Sequence, residues 1–184
     1  MAATPNGRLE VLRARRKRFI EKIGADAVAV LASAPVSVRS NDVEFVYRQD
    51  SDFYYLSGFA EPESVAVFAP GHKDGEFVLF VRPRDKERET WTGRRAGVEG
   101  AIIDHGADKA YTIDELDRVL SEYLQSRERV FYALGNNHLM NERFLEMLRG
   151  SYAKRPMTGE GPTAMFDPRY VIHEMRLRKA PEEV

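Results

Sequence analysis

Histidines and carboxylates are the side chains of this chain that could bind a metal or transfer a proton, since the sequence has no cysteine. His173 and Glu174 begin an H-E-x-x-H zinc pattern, but Leu177 stands where the second histidine belongs. His138 and Glu142 lie four residues apart on a predicted helix, which favours a surface hydrogen-bonding pair over a metal site. No G-x-S-x-G nucleophile motif and no phosphate-binding glycine loop is present. The residues by themselves therefore predict no catalytic and no metal site.

Two stretches carry residue types suited to binding. In residues 39–63, charged side chains alternate with six aromatic rings, a composition typical of protein-docking surfaces. The same stretch could instead pack against its own domain. Residues 89–95 contain the only tryptophan, Trp91, beside a glycine and two arginines. The indole could form one wall of a peptide cleft, or it could be a half-buried core residue flanked by surface arginines.

Composition excludes several classes of protein. The 184 residues include 28 basic and 29 acidic side chains, a balance that argues against nucleic acid or an anionic membrane as partner. The basic cluster at residues 13–18 is interpreted as a solvated helix face. The first seven residues lack an apolar signal region, and no stretch reaches the ~18 apolar residues of a membrane span. These features predict a cytoplasmic protein.

The elements that would position these stretches alternate between strand and helix. Apolar spacing predicts helices at 8–23, 112–127, from 137 to a stop at Gly150, and from 167 to about 179. Thr112 and Glu115 form a capping box for the second of these. Short apolar runs predict strands at 27–32, 53–58, 64–69, 76–81 and 130–134, with a hairpin loop at 70–75. This order predicts an α/β layer architecture with antiparallel pairing at the hairpin.

The last residues predict a helix that has only begun. In the segment 180–184, APEEV, a proline takes the first helical position and two acids follow in the first turn. A helix that stops in its first turn has met the nucleation cost and gained almost no propagation. We therefore expect a further domain to follow, the alternative being a frayed tail.

Three segments resemble the N-terminal domain of the aminopeptidase P family. Residues 39–64, RSNDVEFVYRQDSDFYYLSGFAEPES, fill every fixed position of a pattern approximately R-S-x-D-x-x-[YF]-x-[YF]-R-Q-x-S-[DN]-F-x-Y-[LF]-[ST]-G-F-x-E-P. ETWTGRRAGVEGA is similar to the W-x-G-R-R segment of that family. MFDPRYVIHEMRLRKAPEEV resembles the junction to its catalytic domain, with Ala180 in place of the usual serine.

The resemblance implies an N-terminal domain of the creatinase/aminopeptidase P type, a mixed β-sheet flanked by helices, over residues 1–172. Residues 173–184 would connect it to a catalytic domain of the pita-bread fold that is absent from this chain. Full-length members resemble metallopeptidases that remove the first residue from peptides whose second residue is proline. They use two metal ions, usually manganese. By this resemblance the chain alone is expected to be inactive and to hold no cofactor.

The resemblance also implies roles for four residues. Trp91 resembles a tryptophan that approaches the substrate, and Asp42 an aspartate at a nearby subunit contact; Tyr47 and Arg48 are added because they share the segment of Asp42. The implied partners are the chain's own catalytic domain, neighbouring subunits and Xaa-Pro peptides. Prolidase is the nearest alternative, although W-x-G-R-R favours aminopeptidase P, and a stand-alone protein- or peptide-binding module of the same fold is the other.

Overall fold

A six-stranded sheet lies between two layers of helices in the computed structural model, which describes residues 5–125 and 127–179. The helices are α1 (Pro5–Ile23), α2 (Ser51–Ser57), α3 (Lys86–Thr92), α4 (Gly97–Ile103), α5 (Leu116–Gln125), α6 (His138–Thr158) and α7 (Arg169–Leu177). The strands are β1 (Ala27–Ala32), β2 (Val38–Ser40), β3 (Val43–Glu44), β4 (Val65–Phe68), β5 (Phe77–Val81), β6 (Lys109–Thr112), β7 (Arg129–Tyr132) and β8 (Ala164–Phe166). A 3₁₀ turn, Ile113–Glu115, precedes α5.

The sheet is mixed, with the strand order β6-β5-β4-β1-β7-β8. Five strands run in one direction, and β4 alone runs against them, because it pairs antiparallel with both β1 and β5. The β4–β5 hairpin closes with the Ala69 amide donating to the Glu76 carbonyl oxygen at 2.8 Å. The predicted α/β fold, a mixed sheet flanked by helices with antiparallel pairing at this hairpin, is confirmed.

The apolar run of β1 is explained by its position in the middle of this sheet. Ala27, Ala29 and Leu31 face a core formed with α1, α2, α4 and α7. Val28 and Val30 face a second core, formed with α5 and α6. A strand covered on both faces needs apolar side chains at every position rather than at alternate ones.

The prediction that the basic cluster of α1 is solvated is wrong at Arg16, which is 4% exposed. Arg16 follows Leu12 by four residues and precedes Phe19 by three, so it lies on the inward face of the helix. Its Nη1 donates to the Leu56 carbonyl oxygen at 3.3 Å, and its guanidinium lies 4.2 Å from the centre of the Phe77 ring. Burial lowers the pKa of this guanidinium to about 10.

The predicted strand at 53–58 is also wrong, because this segment forms helix α2. The Asp50 carboxylate caps the helix by accepting from the amides of Asp52 at 3.0 Å and Phe53 at 2.9 Å. Gly58, with φ of 65°, ends it in the left-handed conformation. Phe53 and Leu56, three positions apart, are fully buried against the sheet. The buried residues here have helical spacing, but the segment is too short for that spacing to be recognised in the sequence.

Two further predicted helices have different ends from those expected. The capping box of Thr112 and Glu115 is confirmed, and the α-helix begins one 3₁₀ turn later. Helix α6 continues through Gly150 to Thr158 and ends at Gly159, which has φ of 72°. A glycine inside a helix costs only about 1 kcal/mol, so Gly150 does not have to end α6, although the buried residues of this helix all precede it.

Helix α7 begins at Arg169, one residue later than the predicted first position at Pro168, and the Asp167 carboxylate accepts from the Arg169 amide at 2.9 Å. Val171, Ile172 and Met175 are buried in the core, so the expected boundary at residue 172 falls inside a helix that packs on the sheet. The helix start expected at 180–184 lies outside the described residues. Within residues 5–125 and 127–179, no helix is long and apolar enough to cross a membrane.

Candidate docking surface at the carboxyl end of the sheet

Both stretches that the sequence singles out for binding leave the sheet at the same end. β1 and β5 run in the same direction with β4 between them, so the segments that follow them leave the same end of the sheet. In open α/β sheets, ligand-binding segments collect at this end of the strands. We call residues 35–48, which follow β1, the hairpin arm, and residues 83–95, which follow β5, the tryptophan arm.

The hairpin arm is exposed along both of its strands. β2 and β3 pair antiparallel, with Val38 opposite Glu44. Asp42, in the turn between them, and Arg48, beyond β3, are both exposed. The arm also exposes large apolar side chains, and these are Val38, Val43, Phe45 and, at 97% exposure, Val46.

Most of the remaining aromatic side chains in this stretch pack inward, although Tyr54 is exposed. Phe53 and Phe59 are buried in the core, and Tyr55 is nearly so. The docking interpretation therefore fits the hairpin arm, whereas the own-domain interpretation fits residues 50–59. The sequence favoured neither interpretation, and each one holds for a different half of the segment.

Tyr47 and Gln49 hold the base of the hairpin arm. The Tyr47 hydroxyl lies 3.1 Å from the Ala34 carbonyl oxygen and 2.9 Å from Gln49 Oε1. Gln49 Oε1 also accepts from the amides of Ala34 and Asp50, each at 2.9 Å. Burial raises the pKa of Tyr47 to about 12. Tyr47 is thus a half-buried anchor, while Asp42 and Arg48 are free to contact solvent or a partner.

The tryptophan arm is organised around the short helix α3. The Asp85 carboxylate caps α3 by accepting from the amides of Glu87 at 3.1 Å and Arg88 at 3.2 Å. Trp91 is 89% exposed, so the interpretation as a half-buried core residue is wrong. Arg95, in contrast, is buried. The Nη1 atom of Arg95 donates to the Pro83 carbonyl oxygen at 3.2 Å and so joins the two stems of the arm.

Glu61 joins the bases of the two arms. Its Oε1 accepts from the Ala96 amide at 2.6 Å, and its Oε2 lies 3.3 Å from Arg82 Nη2. Its backbone carbonyl oxygen accepts from Gln49 Nε2 at 2.9 Å. Sequence reasoning missed Gln49 and Glu61 as functional candidates. The available signal was that both occupy fixed positions of the pattern matched by residues 39–64.

Asp52, a third fixed position of that pattern, connects α2 to α7. Its side chain is 13% exposed, accepts from Arg176 and lies 3.0 Å from His173 Nε2. His173, the first residue of the partial H-E-x-x-H pattern, therefore takes part in a contact between α7 and α2. This contact ties the end of the described chain to the segment that carries the hairpin arm.

Two other histidines pack against aromatic rings. The His72 ring is stacked on that of Tyr123, with ring centres 3.9 Å apart, and the His105 ring meets that of Phe59 edge-on at 4.9 Å. Burial lowers the pKa of both imidazoles, which favours their neutral forms. Among the described residues, neither imidazole belongs to a group of three or more side chains that could hold a metal ion.

The described residues do not fit a metal ion. No group of three or more His, Asp or Glu side chains lies close enough to hold one anywhere in residues 5–125 and 127–179. His138 and Glu142 form the surface pair that their spacing predicts, 3.4 Å apart and well exposed. What the carboxyl end of the sheet can do chemically is bind, through an exposed indole, apolar side chains and charges of both signs.

Comparison with known proteins agrees with the resemblance seen in the sequence. Residues 12–132 match the family model of the aminopeptidase P N-terminal domain. The Xaa-Pro aminopeptidase of Escherichia coli K12 is 37% identical over 175 residues, which are 92% of this chain and 39% of that protein. Xaa-Pro aminopeptidase 3 of Homo sapiens is 33% identical over 170 residues, 88% of this chain and 32% of that protein.

A solved structure extends this agreement to the fold. Pseudomonas aeruginosa aminopeptidase PepP has a TM-score of 0.90 and 41% sequence identity to this chain, over 95% of this chain and 40% of that one. The chain thus spans about two fifths or less of the length of these relatives. Since the family model covers most of the chain and the fold agrees throughout, the chain belongs to the aminopeptidase P N-terminal domain family.

Proposed function

We propose that this chain is the non-catalytic N-terminal domain of a manganese-dependent Xaa-Pro aminopeptidase, in which it supplies subunit contacts and part of the substrate cleft. The observation that carries the proposal is the exposure of Trp91 at the carboxyl end of the sheet, the same end at which the apolar hairpin arm lies. Residues 1–172 would form the domain and 173–184 the connection to the catalytic domain. A cytoplasmic location, suggested by the cysteine-free sequence, is part of the same proposal.

Exposed apolar surface of this kind is a reason to expect a partner. Water-exposed apolar side chains gain free energy when they are covered, and tryptophan is the residue most enriched at binding hot spots. Trp91, Phe45 and Val46 expose such surface on two neighbouring arms. We infer that a neighbouring subunit and a bound peptide cover these arms in the full-length enzyme.

The two manganese ions of the proposal belong to the rest of the full-length polypeptide. The described residues offer no group that fits them. The chemical step is therefore assigned to the catalytic domain, and the role of this chain is to position substrate and to shape access to it.

The test is the substitution Trp91→Ala in the full-length enzyme. We expect kcat/KM for an Xaa-Pro-Xaa tripeptide to fall by about tenfold or more, because removal of a hot-spot tryptophan costs about 2 kcal/mol. Bound manganese per subunit should not change. Met157→Ala, which removes an equally exposed apolar side chain from α6, is the matched control and should leave both measurements unchanged.

Three outcomes would contradict the proposal. Unaltered kinetics in Trp91→Ala would remove this residue from the cleft. Chelator-sensitive peptide hydrolysis by the 184-residue chain alone would show that it is catalytic. Cleavage of Xaa-Pro dipeptides but not of tripeptides by the full-length enzyme would favour a prolidase.

A further inference from the structure

A polar side chain bridges the base of each arm, in addition to the contacts of Tyr47 with Ala34 and of Arg95 with Pro83. Gln49 Oε1 bridges the hairpin arm, because it accepts from Ala34 at one stem and from Asp50 at the other. Glu61 bridges the tryptophan arm in the same way, with Arg82 where the chain leaves β5 and the Ala96 amide where it returns. Both side chains thus replace a backbone pairing that the arms themselves lack at these points.

The two bridging residues also contact each other. Gln49 Nε2 donates to the Glu61 carbonyl oxygen at 2.9 Å and to the Phe59 carbonyl oxygen at 3.3 Å. The position of one arm is therefore linked to the position of the other through a single hydrogen bond between their bridges.

The ion pair in this linkage is shielded from water. The side chains of Glu61 and Arg82 are 20% and 13% exposed. The Arg118–Glu122 pair on α5, by contrast, is 63% and 60% exposed. Shielded pairs with additional hydrogen bonds hold their geometry more strongly than exposed pairs, which solvent screens.

Helix α3 depends on such support because it is only seven residues long. Isolated helices shorter than about 12 residues are marginal in water. The side chain of Trp91 is itself 89% exposed and so contributes little packing that could hold the helix in place. The stems of the tryptophan arm must therefore fix the position of the indole.

We propose that Glu61 is a positioning residue for Trp91, which it places relative to the hairpin arm through Arg82, the Ala96 amide and Gln49. The kinetic part of this inference rests on the function proposed above. The structural part, that Glu61 orders the tryptophan arm, does not depend on any activity.

Hydrogen exchange of the 184-residue chain tests the structural part. In Glu61→Ala, the amides of residues 86–96 should exchange about tenfold faster or more, because the arm loses the Glu61 contacts to Arg82 and to the Ala96 amide and keeps only the Arg95 contact to Pro83 between its stems. Glu61→Gln keeps an acceptor for the Ala96 amide but presents an amide donor to Arg82, so a smaller acceleration is expected. Glu122→Ala breaks the exposed pair on α5 and should leave exchange in the arm unchanged.

Kinetics of the full-length enzyme test the kinetic part of the inference. Glu61→Gln should lower kcat/KM for an Xaa-Pro-Xaa tripeptide in the presence of Trp91 and cause no further loss in the Trp91→Ala background. Manganese content should be the same in all four proteins. A merely structural role would instead produce losses that add.

The outcomes separate this inference from the function proposed above. Unchanged exchange in Glu61→Gln and in a folded Glu61→Ala overturns it, and so do additive losses in kcat/KM. If Glu61→Ala does not fold by circular dichroism, Glu61→Gln decides the result. Faster exchange in the arm together with wild-type kinetics in Trp91→Ala would support positioning by Glu61 and overturn the cleft role of Trp91.

Discussion

Tyr47 anchors the hairpin arm through one hydroxyl proton that two acceptors share. The Ala34 carbonyl oxygen and Gln49 Oε1 both lie within 3.1 Å of the hydroxyl oxygen, and neither can donate to it. The hydrogen bond that Tyr47 donates at the base of the arm therefore exists only while the phenol is protonated, whereas the hydrogen bonds of Gln49 Oε1 with the Ala34 and Asp50 amides do not depend on that proton.

Alkaline pH should release this anchor. Burial raises the pKa of Tyr47 from 10.0 to about 12 in the folded chain, so the stability that it contributes is complete below pH 10. That stability is lost as the pH rises from about 10 through 12, because the unfolded state releases the proton first. We expect the phenolate absorbance titration of wild type minus Tyr47→Phe to show a midpoint near pH 12. A difference titrating near pH 10 would show that the hydroxyl is solvated.

At this scale the sequence indicated the important positions without their partners. The pattern matched by residues 39–64 includes Gln49, Asp52 and Glu61 as fixed positions. Their partners include the backbone amides of Ala34 and Ala96, and any residue type supplies such an amide. No side-chain pattern could therefore reveal these contacts. The indole of Trp91 was identified from its uniqueness, but its exposure depends on the projection of α3 from the sheet.

Among the elements that the sequence predicted, α2 is the one assigned to the wrong type, and the short elements β2, β3, α3, α4, β6 and β8 were not predicted. Five apolar or aromatic residues lie within residues 53–59, and over so short a run a buried strand and a buried helix look alike. The decisive features are local: Asp50 caps the first turn, and Gly58 provides a left-handed end. Both were visible in the sequence as D-S-D and S-G.

The end of α2 makes a testable contrast between two glycines. Gly58 and Gly71 have nearly the same positive φ, 65° and 63°, so Gly→Ala costs roughly 1–2 kcal/mol of backbone strain at either. A Cβ on Gly58 would also lie 2.5 Å from Leu12 Cδ1, whereas on Gly71 it meets nothing within 4 Å. We expect Gly58→Ala to lower the free energy of unfolding by about 2–5 kcal/mol in urea denaturation.

Gly71→Ala serves as the control and should cost only the backbone part, about 1–2 kcal/mol. Equal losses for the two variants would mean that Leu12 moves aside without cost. The packing of α1 against α2 would then be looser than the buried position of Leu12 indicates.

Over the whole molecule, the sequence predicted the layers of helices and strands better than the order of the strands within the sheet. Alternating strands and helices indicated an α/β fold, and continuous apolar strands such as β1 indicated burial on both faces. The position of β1 between β4 and β7 could not be read in the same way, because backbone hydrogen bonds do not identify their partner strand. The two cores, one on each face, follow from that order.

Helix α7 completes one of these cores, and its last buried residue tests how far the domain extends. Met175 is 6% exposed, so Met175→Ala should lower the free energy of unfolding by about 2–5 kcal/mol. Leu177, two residues later, is 79% exposed, and Leu177→Ala should change it by no more than about 0.5 kcal/mol. Urea denaturation of both variants is the measurement. A silent Met175→Ala would place the end of the folding unit before this turn of the helix.

The exposure of the single tryptophan determines which changes in this chain its intrinsic fluorescence can report. An indole surrounded by water in the folded state has little solvation left to gain on denaturation, so its emission wavelength should be nearly insensitive to loss of the fold. Coverage of Trp91 by another protein surface would move it into an apolar medium and shift the emission to the blue. Intrinsic fluorescence of this chain is therefore a sensor of assembly and a poor sensor of unfolding.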